Sequence, residues 1–293
     1  MERRFGPVLF VPGRNSGRYP YCNSLYVEGE LRVVIDPASD RKRLQSLLES
    51  PGVDVAWLSH WHEDHMMHLD LFDDKELWIS RADAQAIGDL NSFCAAYGMT
   101  ESEKEYWAPM MVDQFHFRNR TPNRLIEPEQ HVDLGGVTVE VISTPGHTPG
   151  HCSLFFREQG VLFLGDYDLT PFGPWYGDVG SSIDQTMESV NRLRSIPARV
   201  WIAAHEEGVF DTDPGERWDN YLKVIDTRDE KLLEFLAEPR TMIDIENEGL
   251  VYGKNREPRE FFVFGERRLM GKHLERLVKR GLVTSDGVTY RRV

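Results

Sequence analysis

Four apolar segments of strand length each lead into a histidine or an aspartate, and this repetition constrains the fold strongly. They are VDVAWLSH, which ends at His60, VEVIST, which precedes a loop with His147, VLFLGD, which ends at Asp166, and VWIAAH, which ends at His205. In open α/β folds, the carboxyl ends of buried strands are where ligand sites lie. We therefore expect these side chains to converge on one cavity, and the repetition favours a metal site.

The first of these strand ends opens a dense polar cluster, LSHWHEDHMMHLD, at residues 58–70. The cluster contains four histidines and three acidic residues. His60 and His62 alternate along an extended segment, so both can point the same way, and Asp64 keeps that parity before the chain turns at His65. Imidazole and carboxylate ligands without a thiolate suit Zn²⁺ and also allow Fe or Mn.

The remaining pattern predicts an α+β fold. Short strands are expected in VLFV, SLYVE and LRVVID near the N-terminus and again in VTVEVIST, CSLFF and VLFLGD. Helices are expected in DRKRLQSLLES and SIDQTMESVNRLRSI because their apolar residues recur at helical spacing. Strands and helices in this order predict two packed sheets flanked by helices.

A helical insertion is expected between residues 80 and 130. From Ser80 to about Arg118 the apolar spacing is helical, with the capping sequences SRAD and TESE. The segment is rich in large apolar side chains, which either pack in the core or wall an apolar substrate pocket. These are Phe93, Tyr97, Trp107, Met110, Met111, Phe115 and Phe117.

The chain changes character near residue 216, and residues 216–293 are expected to form a small C-terminal helical domain. Two helical segments and a terminal hairpin resemble a winged helix. Residues 219–293 carry 15 Lys/Arg and 14 Asp/Glu, so the net negative charge of the protein lies entirely on the first 218 residues. Basic residues near the end, including Arg268, Lys272, Arg276 and Lys279, are interleaved with glutamates, which favours a solvated helix face.

Composition excludes several classes of protein. The formal net charge of −14 opposes binding to nucleic acid and to anionic membranes. No apolar run approaches the roughly 20 residues of a membrane span. Three scattered cysteines, Cys22, Cys94 and Cys152, are too few for a disulfide framework, and the N-terminus lacks the apolar stretch of a signal peptide. These features predict a cytoplasmic protein.

The motif His-x-His-x-Asp-His in HWHEDH, with TPGHTPGH, LGD and AAH farther along, resembles the metallo-β-lactamase superfamily. The resemblance implies an αβ/βα sandwich over residues 1–215. The form TPGHTPGH is similar to hydroxyacylglutathione hydrolases, and the tail resembles that of lactamase-beta-like hydrolases and their endoribonuclease relative. By residue, the resemblance implies two divalent metal ions, one held by His60, His62 and His147, the other by Asp64, His65 and His205, with Asp166 bridging them.

Some residues depart from the family pattern. Met66, Met67 and His68 stand where many members have a turn of small residues, and Asp168 is an additional carboxylate close to Asp166. His68 and Asp168 could join the site, although a supporting or surface position is the simpler interpretation of His68. His151 is interpreted as a hydrogen-bonding neighbour of the ligands.

The implied centre predicts a hydrolase. Two metal ions lower the pKa of a bridging water from 15.7 toward about 7, which supplies a hydroxide nucleophile at neutral pH. Asp64 could orient that hydroxide and pass its proton to the leaving group. Tyr167, Trp175 and Tyr176 come after the bridging aspartate and could contact the substrate, as could Trp107.

The favoured function is hydrolysis of a thioester or ester, lactones included, with a small apolar acyl group, because the insertion is aromatic and rich in methionine. A metal-dependent endoribonuclease acting on single-stranded RNA is the first alternative, suggested by the tail. A mononuclear iron persulfide dioxygenase is the second, which the complete second ligand set opposes. A small-molecule substrate is the expected partner, and the tail could pair two chains in a homodimer.

Overall fold

Two β-sheets pack face to face at the centre of the protein, as the computed structural model of residues 1–293 describes it. The first sheet contains seven strands in chain order: β1 (Arg3–Phe5), β2 (Val8–Val11), β3 (Ser24–Glu28), β4 (Arg32–Ile35), β5 (Val55–Trp57), β6 (Glu76–Ser80) and β7 (Arg124–Ile126). Neighbours are antiparallel from β1 to β4 and parallel from β4 to β7. The parallel half therefore directs the ends of β4, β5 and β6 to one edge.

The second sheet contains six strands: β8 (His131–Asp133), β9 (Thr138–Ser143), β10 (Cys152–Phe156), β11 (Val161–Gly165), β12 (Val200–Ala203) and β13 (Val209–Phe210). Their order is β13-β12-β11-β10-β9-β8, and only β11 and β12 are parallel neighbours. Because β11 and β12 run the same way, Asp166 and His205 lie just beyond them at the same edge of this sheet.

Five helices accompany the sheets: α1 (Arg41–Glu49), α2 (Glu63–Met66), α3 (Leu90–Tyr97), α4 (Glu101–Asp113) and α5 (Ile183–Arg194). Sequence patterns predicted α1 and α5 correctly. The predicted helix start at SRAD is wrong, since Ser80 is the last residue of β6 and residues 81–88 form turns. The second predicted start is confirmed, because Thr100 and Glu103 form a capping box at α4. The predicted insertion at 80–130 is thus only partly helical, and it also supplies β7.

The C-terminal part contains α6 (Glu216–Phe235), β14 (Arg240–Thr241), α7 (Met242–Glu248), α8 (Arg259–Lys279), β15 (Val283–Ser285) and β16 (Thr289–Arg292). Its three strands form a separate sheet in the order β14-β16-β15. The helices enclose a small core of their own, which includes Leu232, Ile245 and Leu274. The division of the chain near residue 215 and the winged-helix interpretation stay predictions.

Alternating side chains of the second sheet serve two cores. Leu154 and Phe163 face the large core shared with the first sheet, whereas Phe155 and Leu162 face the apolar residues of α5 and α6. This period of two is what a strand buried on both faces requires. The predicted arrangement of two sheets flanked by helices is therefore confirmed. None of the helices has both the length and the apolar character needed to cross a membrane.

Candidate metal centre

The structure brings seven predicted ligand residues together at the edge where the strands of both sheets end. His60 and His62 come after β5, and Asp64 and His65 lie in α2. His147 lies in the loop between β9 and β10, and Asp166 and His205 come after β11 and β12. Their ligand atoms form two groups, each with its atoms within 4.8 Å of one another. The first comprises His60, His62, His147 and Asp166, and the second Asp64, His65 and His205.

In the first group, three imidazole nitrogens face one another. His147 Nε2 lies 3.0 Å from His62 Nδ1 and 3.1 Å from His60 Nε2, and the latter two nitrogens are 3.2 Å apart. Asp166 Oδ2 lies 3.2 Å from His147 Nε2 and 3.8 Å from His60 Nε2. Four potential ligand atoms therefore surround one point.

In the second group, Asp166 again participates, through its other oxygen. Asp166 Oδ1 lies 2.8 Å from His65 Nε2 and 3.4 Å from His205 Nε2. Asp64 Oδ2 lies 3.5 Å from His205 Nε2, and Asp64 Oδ1 lies 3.9 Å from His65 Nε2. Each oxygen of Asp166 thus faces a different group, which is the geometry of a bridging carboxylate.

The histidines of the first group have their other ring nitrogen occupied. His62 Nε2 lies 2.8 Å from Asp178 Oδ2, and His147 Nδ1 lies 3.1 Å from the Trp175 carbonyl oxygen. His60 Nδ1 lies 3.0 Å from the Ser59 hydroxyl, which itself contacts a carboxylate. With the hydrogen on the occupied nitrogen, each facing nitrogen presents a lone pair.

The histidines of the second group are oriented in the same way. His65 Nδ1 lies 2.9 Å from Asp36 Oδ2, and His205 Nδ1 lies 2.7 Å from the Gly17 carbonyl oxygen. Asp36 also accepts hydrogen bonds from the backbone N–H and hydroxyl of Ser59 at 2.7 Å. Both Nε2 atoms are consequently directed at Asp166 and Asp64.

This donor set fits divalent metal ions. Facing lone pairs at 3.0–3.2 Å repel one another unless a cation or a proton lies between them. His65 Nε2 and Asp166 Oδ1 lie 2.8 Å apart without the geometry of a hydrogen bond, and neither atom has another hydrogen-bond partner, which buried polar atoms seldom tolerate. Imidazole and carboxylate ligands, with the other imidazole nitrogen held by an acceptor, are typical of Zn²⁺ and other transition-metal sites.

The electrostatics of the site also favour a cation. Burial alone would lower the pKa of His62, but the Asp178 carboxylate raises that pKa to about 9. Burial likewise opposes the charged form of His205, but Asp166 raises its pKa to about 10. Burial would raise the pKa of Asp166, yet the positive His65 and His205 hold it well below its usual range. Buried carboxylates thus create a negative potential that attracts positive charge.

Sequence reasoning missed three carboxylates around the ligands. Asp36 supports His65, and its position directly after the apolar strand β4 was a usable signal. Asp178 supports His62 from a loop 116 residues away, so no local pattern identifies it. Glu63 accepts hydrogen bonds from the hydroxyls of Tyr19 at 3.0 Å and Tyr97 at 2.5 Å.

Of the residues that follow Asp166 in the sequence, some are packed in the interior and others line the cavity. Tyr167 is buried and donates to the carbonyls of residues 144 and 145, and Tyr176 is buried against His273. Neither lines the cavity that opens above the two ligand groups, so this placement does not support the predicted contacts of Tyr167 and Tyr176 with substrate. Both contribute to packing instead. Trp175 and Asp168 do line that cavity, and burial raises the pKa of Asp168 to about 6.

Two further histidines lie close to the ligand residues in the sequence. His68 is buried away from both ligand groups, and neither of its ring nitrogens has a hydrogen-bond partner. His151 Nε2 accepts a hydrogen bond from the Asp166 backbone N–H at 3.1 Å. A Cβ atom at Gly165, whose φ is +62°, would collide with His151, so glycine is required before Asp166.

The cavity above both ligand groups has a volume of about 590 Å³. His62, Asp64, His147, Asp166 and His205 line its floor. Large apolar or aromatic side chains from four parts of the chain form its walls: Tyr19, Tyr97, Met99, Trp107, Met111, Phe172, Trp175, Tyr252, Phe261, Phe262 and Phe264. Because four of these residues lie beyond residue 250, the C-terminal part helps to enclose the cavity.

Comparison with known families identifies the domain. Residues 87–205 match the family described as "Metallo-beta-lactamase superfamily". The matched range contains His147, Asp166 and His205, and it begins after the histidine cluster at residues 58–70. Residues 87–205 therefore belong to a metallo-β-lactamase superfamily domain, as the motifs predicted.

Curated relatives carry hydrolase or β-lactamase-like names. The "Beta-lactamase-like protein 2 homolog" of Caenorhabditis elegans is 24% identical over 260 residues, which cover 85% of this chain and 78% of that protein. "Hydroxyacylglutathione hydrolase GloC" of Haemophilus influenzae is 26% identical over 208 residues, which cover 68% and 90%. "Probable polyketide biosynthesis zinc-dependent hydrolase PksB" of Bacillus subtilis is 24% identical over 188 residues, which cover 63% and 71%.

Solved structures share the fold. A metallo-beta-lactamase family protein from Thermus thermophilus superimposes with a TM-score of 0.71 at 23% identity and covers 98% of this chain and 99% of its own. A beta-lactamase domain protein from Burkholderia ambifaria superimposes with a TM-score of 0.69 at 19% identity, and the match covers 100% of this chain and 93% of that protein. The predicted metallo-β-lactamase fold is thus confirmed.

Proposed function

We propose that this metallo-hydrolase of the metallo-β-lactamase superfamily cleaves thioesters or esters, lactones included, that carry a small apolar acyl group. The observation that carries the proposal is the cavity of about 590 Å³, with its metal-type floor and aromatic walls. A pocket that is mostly apolar, with a few convergent polar groups, fits a neutral acyl chain bound near a reacting carbonyl. Relatives named as hydroxyacylglutathione hydrolases support the thioester class.

The seven ligand residues would hold two divalent ions, for which Zn²⁺ is our choice because one relative is named as zinc-dependent. Bound metal supplies Lewis acidity and makes water acidic enough to ionise near neutral pH. The protein's own groups then handle protons and position. Asp64 lines the cavity floor, where its carboxylate can accept a proton and return it to the leaving group.

Two arginines at the cavity are suited to bind the leaving-group end of the substrate. Arg18 and Arg256 are exposed and line the same cavity as the aromatic walls. A guanidinium group binds carboxylate or phosphate through paired hydrogen bonds. We propose that they contact an anionic group on the leaving thiol or alcohol, while the acyl group lies against the apolar walls.

The endoribonuclease alternative receives little support from the tail. Arg268 donates to the Gly177 carbonyl at 2.8 Å, and Lys272 donates to the carbonyls of Val179 at 3.0 Å and Ser181 at 2.9 Å. Arg276 is buried in an ion pair with Asp229 at 2.5 Å. These cations stabilise the fold and are not free to track a phosphate backbone. The mononuclear iron alternative is opposed by the second ligand group.

A substrate screen tests the proposal. The Zn²⁺-loaded protein would be assayed with acetyl to octanoyl thioesters of a small thiol, a lactone, a phosphodiester and a single-stranded RNA. We expect thiol release that requires metal and disappears in Asp166→Ala. Metal-dependent cleavage of RNA or the phosphodiester, without turnover of any thioester, ester or lactone, would replace this proposal with the nuclease.

A further inference from the structure

We propose that the C-terminal helices position two of the metal-binding histidines through one loop, residues 172–181, which we call the coupling loop. The loop lies between α8 and α6 on one side and the first ligand group on the other. The inference rests on the proposed metal centre and is independent of the proposed substrate. It assigns Arg268 and Lys272 as positioning residues.

On the metal side, the coupling loop holds His62 and His147. Asp178 Oδ2 lies 2.8 Å from His62 Nε2, and the Trp175 carbonyl oxygen lies 3.1 Å from His147 Nδ1. The Ser181 hydroxyl donates to the backbone carbonyl of His147 at 2.5 Å. The indole N–H of Trp175 donates to Asp178 Oδ1 at 3.0 Å, so the two supports are also linked.

On the tail side, side chains of α6 and α8 hold the backbone of the same loop. Arg268 donates to the carbonyl of Gly177, which directly precedes Asp178, and Lys272 donates to the carbonyl of Ser181. On α6, the buried Arg228 donates to the carbonyls of Phe172 at 2.7 Å and Pro174 at 3.0 Å. Each of these backbone carbonyls belongs to a residue that holds a ligand histidine or lines the cavity, or to the immediate neighbour of such a residue.

The second ligand group is held from elsewhere. His65 is supported by Asp36 after β4, and His205 is supported by the Gly17 carbonyl near the N-terminus. Neither support belongs to the coupling loop. Loosening the loop should consequently weaken the ion held by His60, His62 and His147 more than the other, and this asymmetry separates positioning from general stabilisation.

Lys272→Met tests the inference because it keeps an apolar side chain of similar length and removes only the ammonium donor. The matched control is Lys279→Met, since Lys279 is exposed at the last residue of the same helix. Zn²⁺ affinities for both ions would be measured by competition with a chromophoric chelator. Long-range ¹H–¹⁵N spectra of the histidine rings would show which ligands release metal first.

We expect Lys272→Met to lower the affinity for one ion by about tenfold, which is the lower end of the roughly 10- to 100-fold loss seen when a metal ligand loses its support. The rings of His62 and His147 should lose metal signals first, while those of His65 and His205 keep them. Arg268→Met should act likewise, and Lys279→Met should match the unmodified protein. Unchanged affinities in both loop variants, or parallel loss of both ions, would overturn the coupling alone. Absence of bound metal in the unmodified protein would instead overturn the metal centre.

Discussion

Replacing Trp107 with alanine should reduce turnover of long acyl substrates selectively. Trp107 lies on α4, is only 6% exposed, and lines the cavity beside Phe261 and Phe264, whose rings are 5.9 and 6.3 Å away. If the acyl chain lies along this wall, the indole covers part of it. Removing the indole leaves that part of the chain in contact with water.

The size of the effect can be worked out from the apolar surface of the substrate. A hexanoyl group has four methylenes, and burial of each stabilises the complex by about 0.8 kcal/mol, or roughly 3 kcal/mol in total. If Trp107 covers about half of the chain, the variant loses about 1.5 kcal/mol, which is roughly tenfold in kcat/KM. An acetyl group has no such methylenes, so its kcat/KM should change by less than about twofold.

The assay is the slope of log kcat/KM against acyl chain length for the Zn²⁺-loaded protein. Phe117→Ala is the control, because Phe117 is 8% exposed, packs on Phe93 at 5.1 Å, and does not line the cavity. It should cost about 3–5 kcal/mol of stability and leave the slope unchanged. Equal losses for acetyl and hexanoyl substrates in Trp107→Ala would refute the pocket assignment and favour core packing.

Two further predictions concern the surroundings of the metal centre. Asp36→Asn should reduce metal affinity about 10- to 100-fold, because it removes the carboxylate that orients His65. The control is Asp54→Asn, which changes a carboxylate paired with Arg32 and should leave the metal affinity unchanged. A competition titration measures the affinity of both variants. Burial and the charge of Arg41 lower the pKa of His68 to about 4. Because the unfolded chain gains a proton near pH 6.5 that the folded chain does not, stability should fall by at most about 3 kcal/mol as the pH falls from 6.5 to 4. In chelator-treated protein, urea unfolding should show this loss, and His68→Leu should remove it; an unchanged slope would contradict the assignment.

The ligand residues could be selected from the sequence because a buried strand fixes the position of the residue at its end. Buried strands are recognisable from their apolar runs, and His60, Asp166 and His205 come directly after such runs. The structure brings those side chains together, as the pattern predicted. Their role as metal ligands stays a prediction, since it depends on an ion that the sequence does not encode.

Long-range supports could not be selected in this way. Asp178 lies in a loop rich in glycine and proline, and its partner His62 is 116 residues away. Nothing in the local sequence separates Asp178 from a solvated aspartate, because its role depends on how α8 places the coupling loop. Asp36 was easier to find, since it comes directly after β4 as Asp166 does after β11, but no second motif drew attention to it.

The basic tail shows why charge patterns alone are weak evidence of function. Arg268, Lys272 and Arg276 alternate with glutamates along α8, and this pattern suits a solvated face, a phosphate-binding face or an internal interface equally well. The structure distinguishes them by the group that each cation meets: backbone carbonyls for Arg268 and Lys272, and the buried carboxylate of Asp229 for Arg276. A buried cation that loses its partner costs several kcal/mol, so Asp229→Ala should destabilise the protein by about 3–5 kcal/mol. Reversing the charge of Arg276 would therefore test stability and not RNA binding, whereas Lys279, exposed at the end of α8, is the position where a phosphate contact can be tested without unfolding the helix.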